Sequence, residues 1–287
     1  MTTVEVFEEH RERLFGLAYR MLSSVSDAQD VVQEAYLRLE RQGVASLETP
    51  GAWLTTVTSR LCLDRLRSAR ARRETYVGPW LPEPLIGRAG GAPDPADRVT
   101  LAESVSMAFL VVMESLSPAE RVAFVLHDVF GYGHDEVAQV VGRGEVACRQ
   151  LVSRARRHVR ERRPRFEADP GERDRVAEAF LNASLGGDLD ALLAVLDPDV
   201  VLRSDGGGLV KAARKPIHGA DRVARFLQRL LRSQAGLEIE RAQVNGGHGF
   251  ITRSNGRPVA VVALDIAAGR VTDLHVVANP QKLAGLQ

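Results

Sequence analysis

The sequence predicts a multidomain protein in which two all-α domains precede a C-terminal α+β domain. Apolar residues recur at helical spacing between Val4 and Glu74 and again between Leu101 and Arg165. Beyond residue 170, helical spacing gives way to short alternating runs divided by turn residues. Helices followed by strands are typical of α+β domains. The expected domains are residues 4–75, 101–165 and 170–280, with a linker over residues 76–100.

The first helical domain is predicted to contain three helices. A second helix is expected over Asp27–Arg41, followed by a loop over Gln42–Glu48. Thr49 and Pro50 then open a long helix that reaches about Arg73, because proline is favoured in the first turn. The first helix is indicated by an apolar stripe of Phe7, Leu14, Ala18 and Met21.

The linker is rich in residues that interrupt helices. Residues 76–97 hold five of the 13 prolines and four glycines. Such composition is typical of a semi-extended tether. Its apolar start, Trp80-Leu81-Pro82, is unusual for an inert spacer. Two interpretations follow: a flexible spacer, or a segment that docks into a groove.

The second helical domain has the pattern of a helix-turn-helix. Ser117, Pro118 and Glu120 form a capping box that starts a helix, which is expected to reach Phe130 and to end at Gly131. A short helix is expected over Asp135–Val141, and Gly142-Arg143-Gly144 supplies the turn before a third helix at Glu145.

The third helix of this domain has two distinct faces. Every fourth residue from Ala147 to Val159 is apolar and is expected to face inward. A helix with a polar, basic face after a tight turn suits a DNA major groove, where Arg pairs with guanine and Gln with adenine. The alternative is an ordinary solvated face. The predicted DNA-reading residues are Arg149, Gln150, Ser153, Arg154 and Arg157.

Charge is partitioned along a nearly neutral chain. The net charge is +1, yet residues 143–165 hold 9 basic and 2 acidic residues, a local charge of +7. Local positive patches indicate a polyanion site. A second basic stretch lies on the long helix of the first domain and includes Arg60, Arg65, Arg67, Arg70, Arg72 and Arg73, offset by Asp64. Two basic helices joined by a tether suggest two contacts on one long DNA.

The helix before that basic stretch has the opposite character. Asp27, Asp30 and Glu34 share one face, which Leu37 continues. An acidic face with an exposed leucine is poor for DNA and suits a basic protein helix. The alternative is an acid-rich helix N-terminus, favoured by the helix dipole.

The remaining composition excludes several classes of protein. No run of 18 apolar residues is present, and Met1–His10 does not have the pattern of a signal peptide. Cys62 and Cys148 stand alone, so neither a metal site nor a disulfide is expected. We therefore expect a cytoplasmic protein with no membrane association, no metal and no cofactor.

The C-terminal domain is expected to pair helices with a meandering antiparallel sheet. Helices are predicted over Glu172–Leu185, Leu189–Leu196 and Ala220–Leu231. Asn245-Gly246 and Asn255-Gly256 are strong hairpin turns. The predicted strands are Val200–Arg203, Leu237–Val244, Gly249–Arg253, Pro258–Ile266 and Val271–Val277.

These segments together resemble the bacterial sigma-70 family of RNA polymerase sigma factors. Asp27–Leu39 (DAQDVVQEAYLRL) is similar to the core-polymerase-binding segment, and Trp53–Arg67 to the minus-10 recognition helix. Leu116–Arg160 resembles the minus-35 domain. The extracytoplasmic-function group with a fused SnoaL-like domain, of the nuclear transport factor 2-like fold, is indicated by WLPEP at Trp80, DGGG at Asp205 and NPQKL at Asn279. Gly144 departs from the pattern, where a stronger N-cap such as Ser is expected.

The resemblance implies roles for particular residues. Asp27, Asp30, Gln33, Glu34 and Leu37 would dock on the β′ clamp helices of core polymerase. The loop Gln42–Glu48 would capture an unstacked base during promoter melting. The minus-10 element would be held by Arg60, Asp64, Arg65 and Arg67, and the minus-35 element would be read by the five residues of the third helix.

The C-terminal domain is expected to regulate the sigma domains of its own chain. The chain is expected to be a monomer. The expected regulatory contacts are Trp80, Leu81, Pro82, Asp205, Gly206, Gly207, Gly208, Asn279, Pro280, Lys282 and Leu283. A small ligand of this domain is left open.

Two other classes of function remain as alternatives. In the first, an active SnoaL-like enzyme is fused to a ligand-responsive DNA-binding protein, with Asp205, His218, Asp265, Asp273 and His275 as candidate acid–base groups. Asp273 and His275 are the best pair, because residues two apart on a strand share a face. A simple ligand-responsive repressor is the second alternative, but it would not need the acidic helix.

Overall fold

The computed structural model describes residues 2–87, 106–162, 170–232 and 236–286. These residues form two compact units. One contains residues 2–75 and 109–162, and the other contains residues 76–87, 106–108, 170–232 and 236–286. The far half of the predicted linker and the predicted boundaries at residues 101 and 165 lie outside the described residues, as do the side chains of residues 70–74.

The first unit begins with three helices, as the sequence predicts. Helix α1 spans Thr3–Leu22, α2 spans Val25–Gln42 and α3 spans Pro50–Glu74. Ser24 caps α2 by accepting a hydrogen bond from the Asp27 amide at 3.2 Å. The loop that follows α2 contains a 3₁₀ turn over Val44–Ser46.

The helix-turn-helix follows in the same unit. Helix α4 spans Met107–Met113, α5 spans Pro118–Phe124, α6 spans His134–Val141 and α7 spans Glu145–Arg162. The helix expected to reach Phe130 is regular only to Phe124, and a π-helical turn continues it over Val125–Val129. Gly142 ends α6 in the left-handed conformation with φ of 70°, a conformation that glycine adopts without steric cost.

Arg121 joins the two halves of this unit. Its guanidinium donates to the carbonyl of Met113 at 2.9 Å and to the carbonyl of Met21 at 2.8 Å. It also pairs with Glu114 at 2.5 Å. Burial lowers the pKa of Arg121 to about 9, which still leaves the group charged at neutral pH. One buried cation therefore holds the end of α1 against the end of α4.

The second unit contains a seven-stranded sheet with helices. Helices α8 (Pro170–Gly186), α9 (Leu189–Val195), α10 (Ala220–Arg232) and α11 (Pro280–Leu283) belong to it. Its strands are β1 (Ile86–Gly87), β2 (Leu196–Asp205), β3 (Ile217–His218), β4 (Leu237–Val244), β5 (Gly247–Ser254), β6 (Arg257–Ala267) and β7 (Arg270–Val277).

The sheet is mixed, which corrects the expected antiparallel meander. The strand order is β1-β4-β5-β6-β7-β2-β3. Strands β4 to β7 form the predicted meander, but β2 pairs with β7 in parallel. The helix expected to reach Leu196 ends one residue earlier, and β2 includes Leu196 and Pro198. A register irregularity between Leu196 and Val201 accommodates the proline.

Apolar side chains fill the helix-facing side of this sheet. Phe180 of α8 stacks on Phe250 of β5 at 6.1 Å between ring centroids. Leu202 of β2 and Leu274 of β7 are register partners and both are fully buried. The expected α+β class of the C-terminal domain is confirmed. The linker contributes an unpredicted strand, because β1 pairs with β4.

Candidate polymerase and nucleic-acid interfaces

An open groove runs between α2 and α3. It has a volume of about 470 Å³ and carries acidic, basic, polar and apolar side chains together. Four of the five residues predicted to bind polymerase line it, and Asp27 lies beside it through a contact with Arg65. The lining residues are Asp30, Gln33, Glu34, Leu37, Arg38, Leu61 and Arg65.

Arg65 of α3 joins the basic and acidic helices. Its Nη1 pairs with the carboxylate of Asp27, and its Nη2 pairs with that of Asp30 at 3.1 Å. Burial lowers the pKa of the Arg65 guanidinium, but the hydrogen bonds and charges of the two carboxylates more than offset this, so its pKa is raised. The sequence assigned Arg65 to DNA and the two aspartates to polymerase, whereas in this structure they contact one another.

The other predicted minus-10 residues occupy different environments on α3. Asp64 and Arg67 are exposed and pair loosely with each other at 3.4 Å. Arg60 donates to the backbone carbonyl of Gln139 in α6 at 2.9 Å. Arg60 therefore contacts the helix-turn-helix within the same unit, and Arg67 remains on the exposed surface of α3.

Helix α7 presents the two faces that its sequence predicts. Leu151, Ala155 and Val159 are buried, and Ala147 is half-buried. The five predicted DNA-reading residues, Arg149, Gln150, Ser153, Arg154 and Arg157, are all exposed. A solvent-facing row of donors on a helix after a tight turn can enter a major groove.

Two of these arginines have partners inside the unit. Arg149 pairs with Glu145 on its own helix at 2.5 Å, and Arg154 lies 3.6 Å from Glu120 of α5. Arg156, which was not among the predicted DNA-reading residues, makes a bidentate pair with Asp128. This pair anchors α7 to the π-helical turn over Val125–Val129. Arg156 therefore orients the reading helix without lying on its reading face.

We expect Arg149→Ala to weaken promoter binding selectively at the minus-35 element. A bidentate contact with a base contributes about 1–3 kcal/mol of discrimination. Binding of duplexes with the native and a scrambled minus-35 element measures this effect, with Arg160→Ala on the same helix as the control. An equal loss on both duplexes would instead make Arg149 a phosphate contact.

Asp205 is the centre of a polar cluster in the second unit. Its side chain is 0% exposed and accepts hydrogen bonds from the Tyr76 hydroxyl at 2.6 Å and from the Leu81 amide at 2.9 Å. Lys282 donates to the same carboxylate at 2.7 Å. The linker, the end of β2 and the C-terminal tail therefore meet at one buried carboxylate.

The surrounding residues reinforce this cluster. The Lys282 ammonium lies 3.8 Å from the centroid of the Trp80 ring, and it also donates to the Leu81 carbonyl. Asn279 donates to the Tyr76 hydroxyl at 2.9 Å. A Cβ on Gly207 would lie 2.5 Å from the Asn279 amide nitrogen, so only glycine fits there. Most of the predicted regulatory residues thus lie together on one unit.

The candidate acid–base residues of the C-terminal domain are engaged in internal pairs. His275 is buried and its Nε2 lies 2.8 Å from Asp265. Asp273 pairs with Arg203 at 2.5 Å, and burial raises the pKa of Asp273 despite this pair. Asp205 is occupied by the contacts described above, and His218 is exposed at the edge strand β3. Each buried candidate therefore has an ion-pair or hydrogen-bond partner within this unit.

Sequence reasoning missed Tyr76, Arg121 and Arg156. Tyr76 reaches Asp205 across 129 residues of chain, and Arg121 reaches Met21 across 100. No local spacing relates such pairs. A signal for Tyr76 was present in its position just before the unusual apolar segment at Trp80.

Comparison with known families supports the class that the fold and these surfaces define. Sigma-70 region 2 matches residues 6–72, and sigma-70 region 4 matches residues 106–159. The SnoaL-like domain matches residues 177–279. A helical region carrying the groove between α2 and α3, a helix-turn-helix and a mixed-sheet domain therefore succeed one another as in a sigma factor with a fused C-terminal domain.

Full-length relatives narrow the class. The chain is 42% identical to the ECF RNA polymerase sigma factor SigJ of Mycobacterium tuberculosis H37Rv, over 98% of this chain and 93% of that protein. It is 39% identical to the probable ECF RNA polymerase sigma factor SigI of the same strain, over 97% and 93%. The crystal structure of M. tuberculosis SigJ superposes with a TM-score of 0.79 at 39% identity, covering 98% of both chains.

The chain belongs to the extracytoplasmic-function RNA polymerase sigma factors, in the group with a fused SnoaL-like domain. The resemblance stated from the sequence is thereby confirmed. These relatives are named as RNA polymerase sigma factors. No helix within the described ranges has the length and apolar character needed to cross a membrane.

Proposed function

We propose that this sigma factor binds core RNA polymerase through the groove between α2 and α3. The single observation that carries this proposal is the convergence of Asp30, Gln33, Glu34 and Leu37 on one open surface. Carboxylates around an apolar side chain complement a basic, amphipathic helix. The β′ clamp helices implied by the family fit that description.

Promoter recognition is assigned to two helices of the first unit. Helix α3 would hold the minus-10 element through Arg60, Asp64, Arg65 and Arg67, and α7 would read the minus-35 element through its exposed arginines, Gln150 and Ser153. The loop between α2 and α3, with its 3₁₀ turn at Val44–Ser46, would receive the unstacked base. Phosphate contacts by these arginines predict strong salt dependence.

The arrangement of the first unit would correspond to an inactive state. Arg60 of the minus-10 helix is bonded to Gln139 of the helix-turn-helix. Promoter elements about 25 base pairs apart lie roughly 85 Å from each other at 3.4 Å per base pair. Because α3 contacts α6 of the helix-turn-helix, the two promoter-reading surfaces cannot span that distance. Initiation therefore requires α3 and α7 to separate.

The C-terminal domain would regulate this separation by holding the linker. Residues 76–87 follow α3 and are held on the C-terminal domain by Asp205, by Lys282 and by the pairing of β1 with β4. Chain that is held in this way cannot extend when the reading helices move apart. Because apolar side chains fill the helix-facing side of the sheet, we propose linker and tail contacts, rather than a small ligand, as the regulatory input.

The proposed setting is the cytoplasm, with one copy of the chain per polymerase. Runoff transcription with purified core polymerase and the full-length protein tests the proposal as a whole. We expect specific transcripts from a subset of genomic templates, and none from core polymerase alone. Identical products with and without the protein would refute an initiation role.

Removing the tail from Asn279 onward is expected to change promoter activity without unfolding the C-terminal domain. The truncation deletes Lys282 and Asn279, which fasten the linker, but it leaves β7 complete at Val277. Runoff transcription and the melting curve of the truncated protein should be measured together. Wild-type values of both quantities would show that the tail is inert and that the regulatory proposal is wrong.

A further inference from the structure

We infer that the ion pairs with Asp27 and Asp30 keep Arg65 from binding DNA. A polymerase helix docked in the groove between α2 and α3 would break these pairs and free Arg65 to contact the DNA strand. This inference rests on the proposed function, and it assigns the α2–α3 ion pairs a role in the order of assembly. The two aspartates would then act twice, first as a restraint on Arg65 and afterwards as contacts for polymerase.

The geometry distinguishes Arg65 from its neighbours. Its two terminal nitrogens each face a different carboxylate of another helix. Arg67, two residues away, pairs with Asp64 of its own helix at 3.4 Å, and both side chains are more than half exposed. Of the two arginines, Arg65 therefore has the restrained guanidinium, while Arg67 remains accessible to a phosphate.

The restraint follows from the chemistry of the guanidinium. Its planar fork binds a carboxylate or a phosphate in the same bidentate manner, so the two anions compete. The two carboxylates outnumber the single guanidinium, and the remaining negative charge would also repel an approaching phosphate, since charges within about 8–10 Å interact at physiological salt. Arg65 in its present position is a poor DNA contact.

Polymerase docking would reverse this balance. Asp30 and Arg65 line the same groove as Glu34 and Leu37, so a basic helix seated there brings cations to the carboxylates that now hold Arg65. Its attraction to Asp30 weakens the Arg65 pair, and Arg65 turns to the strand. Because binding free energies are linked, bound DNA should in turn strengthen polymerase binding.

The test measures single-strand binding by the full-length protein. The probe is a fluorescein-labelled 12-nucleotide single-stranded DNA of mixed sequence, followed by anisotropy at low salt. We expect Asp27→Asn with Asp30→Asn to tighten binding about two- to tenfold, as expected for two partly exposed ion pairs. Adding Arg65→Ala to this variant should abolish the gain.

A matched control separates release of Arg65 from a change in net charge. Glu9→Gln with Glu40→Gln removes the same two charges from exposed positions outside the groove. An equal gain in this control, or in the Arg65→Ala background, would overturn the inference. Asp30→Asn alone is the second variant, because that side chain is 60% exposed and its loss should leave the fold intact.

Saturating core polymerase tests the release step. Assembly of each variant is verified on a native gel. We expect the gain from the two Asn substitutions to disappear, because polymerase has already freed Arg65 in the wild type. An equal gain with and without polymerase would overturn the release step. If the wild type did not assemble with core polymerase, the proposed function and the release step would both be refuted. The single-strand binding results with the charge control and with Arg65→Ala test the restraint of Arg65 alone.

Discussion

Reversing the charge of Asp30 and Glu34 to lysine is expected to abolish binding to core polymerase while the fold remains intact. Asp30 is exposed, Glu34 is partly exposed, and both line the groove between α2 and α3. Lysines there would oppose a basic partner helix, and like charges across an interface cost several kcal/mol. Affinity should therefore fall by more than about a hundredfold, at about 1.4 kcal/mol per tenfold.

Native-gel titration with core polymerase measures this loss, and circular dichroism reports on the fold. The matched control is Glu9→Lys with Glu40→Lys, which makes the same charge change at exposed positions of α1 and α2 outside the groove. We expect the control to retain most of its affinity. Unchanged affinity in the Asp30 and Glu34 variant would remove the groove from the polymerase interface.

Replacing Asp205 with alanine is expected to have the largest effect on the second unit. The carboxylate is fully buried and pairs with Lys282, whose side chain is 11% exposed. Removing one partner of a buried ion pair typically costs about 3–5 kcal/mol, because the other charge is left uncompensated. The hydrogen bonds from Tyr76 and Leu81 are lost as well. Residues 76–87 should therefore detach.

Urea unfolding measures the stability loss, and limited proteolysis between Tyr76 and Gly87 reports detachment. Promoter binding by the holoenzyme should change at the same time, because the released linker can extend. Asp199→Ala on the same strand is the control, since Asp199 is exposed and surface substitutions usually stay within about 0.5 kcal/mol. A protease-resistant linker in the Asp205 variant would contradict the proposed fastening.

The faces of the helices follow from the sequence because they depend on local spacing. The helical repeat by itself places the apolar seam of α7, which ends at Val159, on the inward face. The same repeat places Arg149 and Arg157 on the exposed face. The hairpin at Asn245-Gly246 was equally local, since both residues adopt positive φ, 52° and 70°, as the turn requires. The sequence order of the two helical regions and the α+β region was sufficient to suggest the family.

Only the tertiary structure decided which distant residues meet. The parallel pairing of β2 with β7 joins Leu202 to Leu274, and no turn signal marks a crossover connection. The linker could be read as a spacer or as a docked segment until Asp205 was found to accept hydrogen bonds from Tyr76 and Leu81. Arg65 likewise lies in a basic stretch of the sequence, but in the folded protein it pairs with two aspartates of another helix. Such contacts depend on how complete helices and strands pack. The spacing of residues within one helix or strand does not determine which other element packs against it.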